Sequence, residues 1–111
     1  MRTLKTLLIC PGLMIPLLFA QDPKKSETAD VAAGRDVFEA HCSDCHNADS
    51  REAKEGPGLK GVKDGKLPSG RAATRSQILE VIDGGGALMP PLKNLLTAKE
   101  KEDVIAYVMT L

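Results

Sequence analysis

Residues 41–46 read His-Cys-Ser-Asp-Cys-His, placing two thiols three residues apart with an imidazole at each end. Four metal-binding side chains in six residues admit four chemistries: a zinc site, a redox dithiol, a disulfide, or thioether attachment of a haem. Structural zinc needs four converging ligands, usually as two separated pairs. The chain offers no second pair, because both of its histidines lie in this stretch. A thioredoxin-like dithiol belongs in a βαβ setting, and no strand pattern flanks the motif. A disulfide suits an exported chain but leaves the rest of the pattern unexplained. C-x-x-C-H, by contrast, is the attachment signature of c-type haem. One turn of chain presents Cys42 and Cys45 to the two vinyl groups of the porphyrin, and carries His46 beneath the iron as proximal ligand.

A six-coordinate iron needs one more ligand, and downstream of residue 20 the candidates are His41, Met89 and Met109. His41 is tied to the same segment as His46 and cannot easily reach the opposite face; it reads as a helix-surface histidine. Met109 falls in a helical stretch four residues after Ile105 and reads as a packing residue. Met89 belongs to no helical period. It follows three glycines and precedes Pro90 and Pro91, a stiff setting that positions its thioether, and an axial Met suits such a site.

Composition points the same way. The chain has 111 residues, one domain at most, and residues 1–20 resemble a secretory signal peptide. They carry a front with Arg2 and Lys5, an apolar run from Leu7 to Ala20, and then a polar segment. Cleavage is expected after Ala20, with an uncleaved anchor as the alternative; the run is short for a bilayer span and broken by Pro11, Gly12 and Pro16. Lipoprotein processing at Cys10 fits less well, because Cys10 comes very early and follows the bulky Ile9. Thirteen basic residues then face fifteen acidic ones in residues 21–111, so the mature net charge is −2. That balance supports neither nucleic-acid binding nor attraction to an anionic membrane, and no membrane insertion of the mature chain is expected. Only Phe38 and Tyr107 remain as aromatics, with no tryptophan. Aromatic rings normally supply much of a small core, and a domain of this size is already marginal in buried surface. A bound apolar cofactor would fill the deficit.

The elements that must position these residues are helical. Residues 21–30 form a polar lead-in, and 31–111 the domain. Val31, Gly34, Val37 and Phe38 recur at helical spacing from about Val31 to His46, behind Asp30 as N-cap. Residues 47–73 hold five glycines and two prolines without a sustained period, a loop long enough to imply that it serves a site. A second helix opens at Thr74, where Thr74 and Gln77 have capping-box spacing, and stops at Gly84. A third opens at Thr97 with Glu100 in the same relation and runs towards the end, with Val104, Tyr107, Val108 and Leu111 inward. The fold class is all-α: three main helices and a long loop wrapped round one covalently bound haem.

From Ala33 to Leu111 the chain resembles a class I cytochrome c of the short, single-haem bacterial kind. Four segments carry the likeness in order: GRDVFEAHCSDCH, GPGLKGV, ILEVIDGGGALMPPL and LTAKEKEDVIAYV. The resemblance implies Cys42 and Cys45 as thioether anchors, His46 as proximal ligand and Met89 as distal ligand. It also implies a hydrogen bond from His46 to the Pro57 carbonyl, which would orient the ring and raise its basicity. Leu59 would pack on the haem face, and Gly34 and Phe38 would meet Val104 and Tyr107 across two helices. Between Lys60 and Arg75 the aromatic residue that many relatives use for a haem propionate is missing; Arg71 or Arg75 could take that role, or be simply solvated.

The implied function is periplasmic transfer of single electrons through a His/Met-ligated haem c and its iron, without catalysis, by transient docking of redox partner proteins at the exposed haem edge. Alternatives are a permanently docked haem subunit of an exported dehydrogenase or oxidase complex, and a haem ligand sensor or small peroxidase in which Met89 leaves the iron open.

Overall fold

A computed structural model of the chain describes Gly12 and residues 29–111; the expected signal segment and most of the lead-in lie outside the described residues. Three α-helices follow in order: α1, Val31–His41; α2, Arg75–Gly84; and α3, Ala98–Val108. A single 3-10 turn at Val62–Asp64 interrupts the long connection from α1 to α2. Among the described residues there is no strand, only an isolated antiparallel bridge between Lys66 and Ala72, and no helix long and apolar enough to cross a membrane.

Each helix starts where its cap directs. The Asp30 carboxylate accepts the Ala32 and Ala33 N–H groups, satisfying donors that lack a partner inside the helix. Thr97 accepts the Glu100 N–H while the Glu100 carboxylate takes the Thr97 N–H, a complete capping box. At Thr74 only half of the expected box forms: the hydroxyl accepts from the Gln77 N–H. Two ends fall earlier than the apolar spacing suggests. Helix α1 stops at His41 rather than His46, because the Cys42–Cys45 segment curls into a tight turn whose geometry no periodicity encodes, and α3 stops at Val108, where the Thr110 and Leu111 N–H groups donate only three residues back, to the Tyr107 and Val108 carbonyls.

Helices α1 and α3 cross at Gly34. A Cβ there would overlap the Asp103 carbonyl and come within 3.0 Å of the Tyr107 Cβ, so only glycine permits the contact. Asp103 is 3% exposed. It accepts the Asp30 N–H at 2.9 Å and pairs with Lys99 at 3.2 Å, which ties the start of α1 to α3. Phe38 lies tilted against Tyr107 with ring centroids 5.4 Å apart. Helix α2 is joined to α3 by ion pairs from Arg75 to Glu102 and from Lys101 to Asp83. The buried apolar side chains form one cluster, and five of them, Phe38, Ile78, Ile82, Val104 and Val108, also line a cleft.

Candidate functional site

The HCSDCH segment is shaped by the end of α1. Cys42 caps the helix, its N–H and that of Ser43 both donating to the Phe38 carbonyl, at 2.8 and 2.9 Å. The Cys45 and His46 N–H groups then return to the Cys42 carbonyl, at 3.2 and 2.9 Å. This turn sets both thiols and the imidazole on one short arc, with both cysteines unpaired and half-buried. Burial pushes the Cys42 thiol up to about 11. A hydrogen bond to Glu55, then burial, raises Cys45. Neither thiol is poised as a free thiolate, which argues against redox dithiol chemistry.

His46 Nδ1 lies 2.7 Å from the Pro57 carbonyl oxygen. A carbonyl only accepts, so Nδ1 carries the proton and donates, leaving the lone pair on Nε2 for a metal. The loop is held against the ring: the Gly56 N–H donates to the Cys45 carbonyl at 2.8 Å. A Cβ at Gly56 would approach the His46 Cε1 to 2.6 Å, so the chain passes beside the imidazole only as glycine.

Met89 is placed by the glycines before it. Gly85 has φ +67°, and a Cβ there would strike the Met89 carbonyl and approach the Pro91 nitrogen to 2.8 Å. The Gly86 N–H donates to the Met89 carbonyl, and the Leu92 N–H to the carbonyl of Ile82 in α2. The methionine is thus carried on a closed loop anchored to α2, and it lines the same cleft as Cys42 and His46. The cavity measures about 180 Å³, below the roughly 300–1,000 Å³ of ordinary ligand pockets. Its walls are aliphatic: Leu59 and Leu67 from the loop, Ile78 and Ile82 from α2, Val104 and Val108 from α3. An apolar slot with an imidazole lone pair, a thioether and a nearby pair of thiols fits a covalently attached metalloporphyrin in polarity and donor set.

The structure thus brings together Cys42, His46, Pro57, Leu59 and Met89 around one cleft, with Cys45 on the adjoining turn. Arg71 and Arg75, the candidates for a propionate, are engaged elsewhere, with Glu80 at 3.0 Å and with Glu102. His41 and Met109 are exposed. Leu67 and Pro68 line the cleft without having been singled out, since an aperiodic loop does not declare which side faces inward. Gly56 was signalled only as part of the Gly-Pro-Gly run.

Comparison with known proteins bears on the same region. Residues 29–108 match the family model described as "Cytochrome C oxidase, cbb3-type, subunit III". The chain is 32% identical over 80 residues to a cytochrome c6 of Rippkaea orientalis, covering 72% of this chain and 69% of that protein. It is 33% identical over 89 residues to a cytochrome bc1 complex cytochrome c subunit of Corynebacterium diphtheriae, covering 74% of this chain but 27% of that protein. Among solved structures, cytochrome c6 from the diatom Phaeodactylum tricornutum superposes with a TM-score of 0.60 at 28% identity, over 74% of this chain and 93% of the diatom protein.

Proposed function

The chain belongs to the mono-haem class I cytochrome c family, and from that premise we propose that it is an exported, periplasmic electron carrier whose iron lies between His46 and Met89. As a member it binds one haem c covalently, with its iron, and transfers electrons rather than catalysing a reaction. When bound, the haem supplies a one-electron Fe(III)/Fe(II) couple.

The residues of this chain do the rest. Cys42 and Cys45 anchor the group through thioethers. His46 offers Nε2 because Pro57 holds Nδ1–H at 2.7 Å, a bond that fixes the ring and strengthens the donor. The Gly85–Pro91 loop holds the Met89 sulfur over the same cleft, and a His/Met pair raises the reduction potential. Leu59, Leu67 and the aliphatic faces of α2 and α3 exclude water. With His46 and Met89 both holding the iron, no position would be left for a substrate, and ligands that stayed in place would keep reorganisation small. The observation that carries this reading is the placement of His46 and Met89 around one apolar cleft. The N-terminal segment supports export.

Met89→Ala tests it. The variant is expected to retain covalent haem, to show a lower midpoint potential, and to bind carbon monoxide rapidly in the reduced state. A variant with the parent's spectrum and potential refutes the ligand assignment. Rapid carbon monoxide binding by the parent itself would favour the sensor or peroxidase reading.

The likeness to a cytochrome bc1 complex cytochrome c subunit favours one further reading, a haem unit docked permanently on a larger complex. Copurification of the native protein with a large membrane enzyme, undisturbed by salt, would decide for it.

A further inference from the structure

Helix α2 passes into the loop that carries Met89 through Gly84, Gly85 and Gly86. Two backbone bonds close that loop, from the Gly86 N–H to the Met89 carbonyl and from the Leu92 N–H to the Ile82 carbonyl. A side-chain contact stands at its base. Asp83, six residues before Met89, faces Lys101 of α3, whose Nζ lies 2.7 Å from the Asp83 Oδ1. The Lys101 side chain is only 13% exposed, and the Asp83 Oδ1 is shut off from solvent. Among the described residues no well-aligned hydrogen bond reaches that oxygen, so the ammonium is the charge that compensates it.

Each of the two charges sits at the wrong end of its own helix. Asp83 is the penultimate residue of α2, and Lys101 is the fourth residue of α3. Helix dipoles disfavour an anion at the first of these places and a cation at the second. Neither charge therefore serves the element that carries it; each is placed for the other. Joining α2 to α3 does not by itself require the pair, because Arg75 and Glu102 link them at the start of α2. Those side chains are 56% and 38% exposed, and such a pair contributes little. Removing one member of the less exposed pair instead leaves the other desolvated and uncompensated.

We propose that Lys101 is a positioning residue for the distal ligand: its ion pair with Asp83 pins the base of the Met89 loop to α3 and holds the sulfur in place against competing ligands. The proposal rests on the assignment of Met89 as distal ligand. With the pair intact, the loop is fixed at both ends, by Asp83 and by Leu92, which is 6% exposed. Once Lys101 is gone, Asp83 turns towards water. The three glycines, with no side chains to restrain them, let the loop follow. Met89 then spends more time off its position, and a competing ligand gains affinity by the same factor.

Imidazole titration of the ferric holoprotein tests it, with loss of the weak near-infrared band of methionine-ligated iron reporting displacement of Met89. Lys101→Leu is expected to tighten apparent imidazole binding by about fivefold or more, and Asp83→Asn to tighten it less. Lys101→Arg, which keeps the charge, is expected to restore the parent's affinity. Two controls separate positioning from stability. R75L breaks the exposed pair, and G34A disturbs the α1–α3 crossing; neither is expected to change imidazole binding, whatever the effect on melting temperature. Equal tightening in R75L or G34A would overturn the proposal, because the pair would then act only through global stability. Parent-like binding by K101L and D83N would also overturn it. If K101L fails to retain haem, D83N, which keeps the ammonium and the shape of the side chain, decides alone. A parent without the near-infrared band removes Met89 as ligand, and the proposal with it. A parent that shows the band beside unmoved variants removes only the role of Lys101.

Discussion

Replacing Gly34 by Ala puts the α1–α3 crossing to a direct test. In a helix interior this substitution ordinarily stabilises by about 0.5–1 kcal/mol, because glycine loses more backbone freedom on folding. Here the new methyl overlaps the Asp103 carbonyl and comes within 3.0 Å of the Tyr107 Cβ. Both obstacles belong to α3 close to its backbone, so no flexible side chain can swing aside. The helices must part by on the order of 1 Å before the atoms reach contact distance. That movement loosens the Phe38–Tyr107 contact at 5.4 Å and the bond from the Asp30 N–H to Asp103. Overpacking of a tight core costs about 1–3 kcal/mol, and an obstacle made of backbone puts this site at the upper end. After subtracting the helix gain, a net loss of about 2 kcal/mol remains. At about 4–8 °C per kcal/mol for a domain of this size, the melting temperature should fall by about 8–16 °C. Thermal unfolding of the haem-loaded variant, followed by far-ultraviolet circular dichroism beside the parent, measures it. An unchanged or raised melting temperature would refute the close-approach reasoning.

Two further outcomes are expected. The variant C42A/C45A, without covalent attachment, should lack a cooperative thermal transition, because Ile78, Ile82, Val104 and Val108, though part of one cluster, also line a cleft that the haem would fill; a sharp melt of haem-free protein contradicts this. The hydrogen bond from Arg75 holds the Glu102 carboxyl below its ordinary value of 4.5, against an opposing effect of burial. A lowered folded value means that the pair's contribution, under about 1 kcal/mol for an exposed ion pair, is present above pH 4.5 and fades as the pH falls through the folded value. Urea titrations from pH 7 to about 3 should therefore show a shallower acid decline for R75A than for the parent; identical slopes would remove the pair from the acid response.

Much of the site was legible because its chemistry is local. A thioether-forming pair and an iron-binding imidazole need fixed spacing along a few residues, and Cys42, Cys45 and His46 carry that spacing openly. The caps at Asp30 and Thr97 were equally open, since a cap and its partners lie within a single turn. The scarcity of rings also announced that something else must fill the interior, and the aliphatic side chains indeed stand around a cleft. Less was legible in residues 47–73. There the backbone follows contacts with distant segments, and no period records them.

The amino-acid order alone determined where the helices begin, the spacing of Cys42, Cys45 and His46, and the setting of Met89 between glycines and prolines, because each depends on neighbours within a turn or on loop composition. Tertiary structure decided what depends on residues remote in the chain. It ended α1 at His41, drew Pro57 to 2.7 Å from the His46 ring and paired Arg71 and Arg75 with Glu80 and Glu102. It also set Lys101 against Asp83 near the end of α2. The physical reason is range: capping and periodicity act through adjacent backbone, whereas the partner of a loop charge or carbonyl is set only when the chain closes on itself.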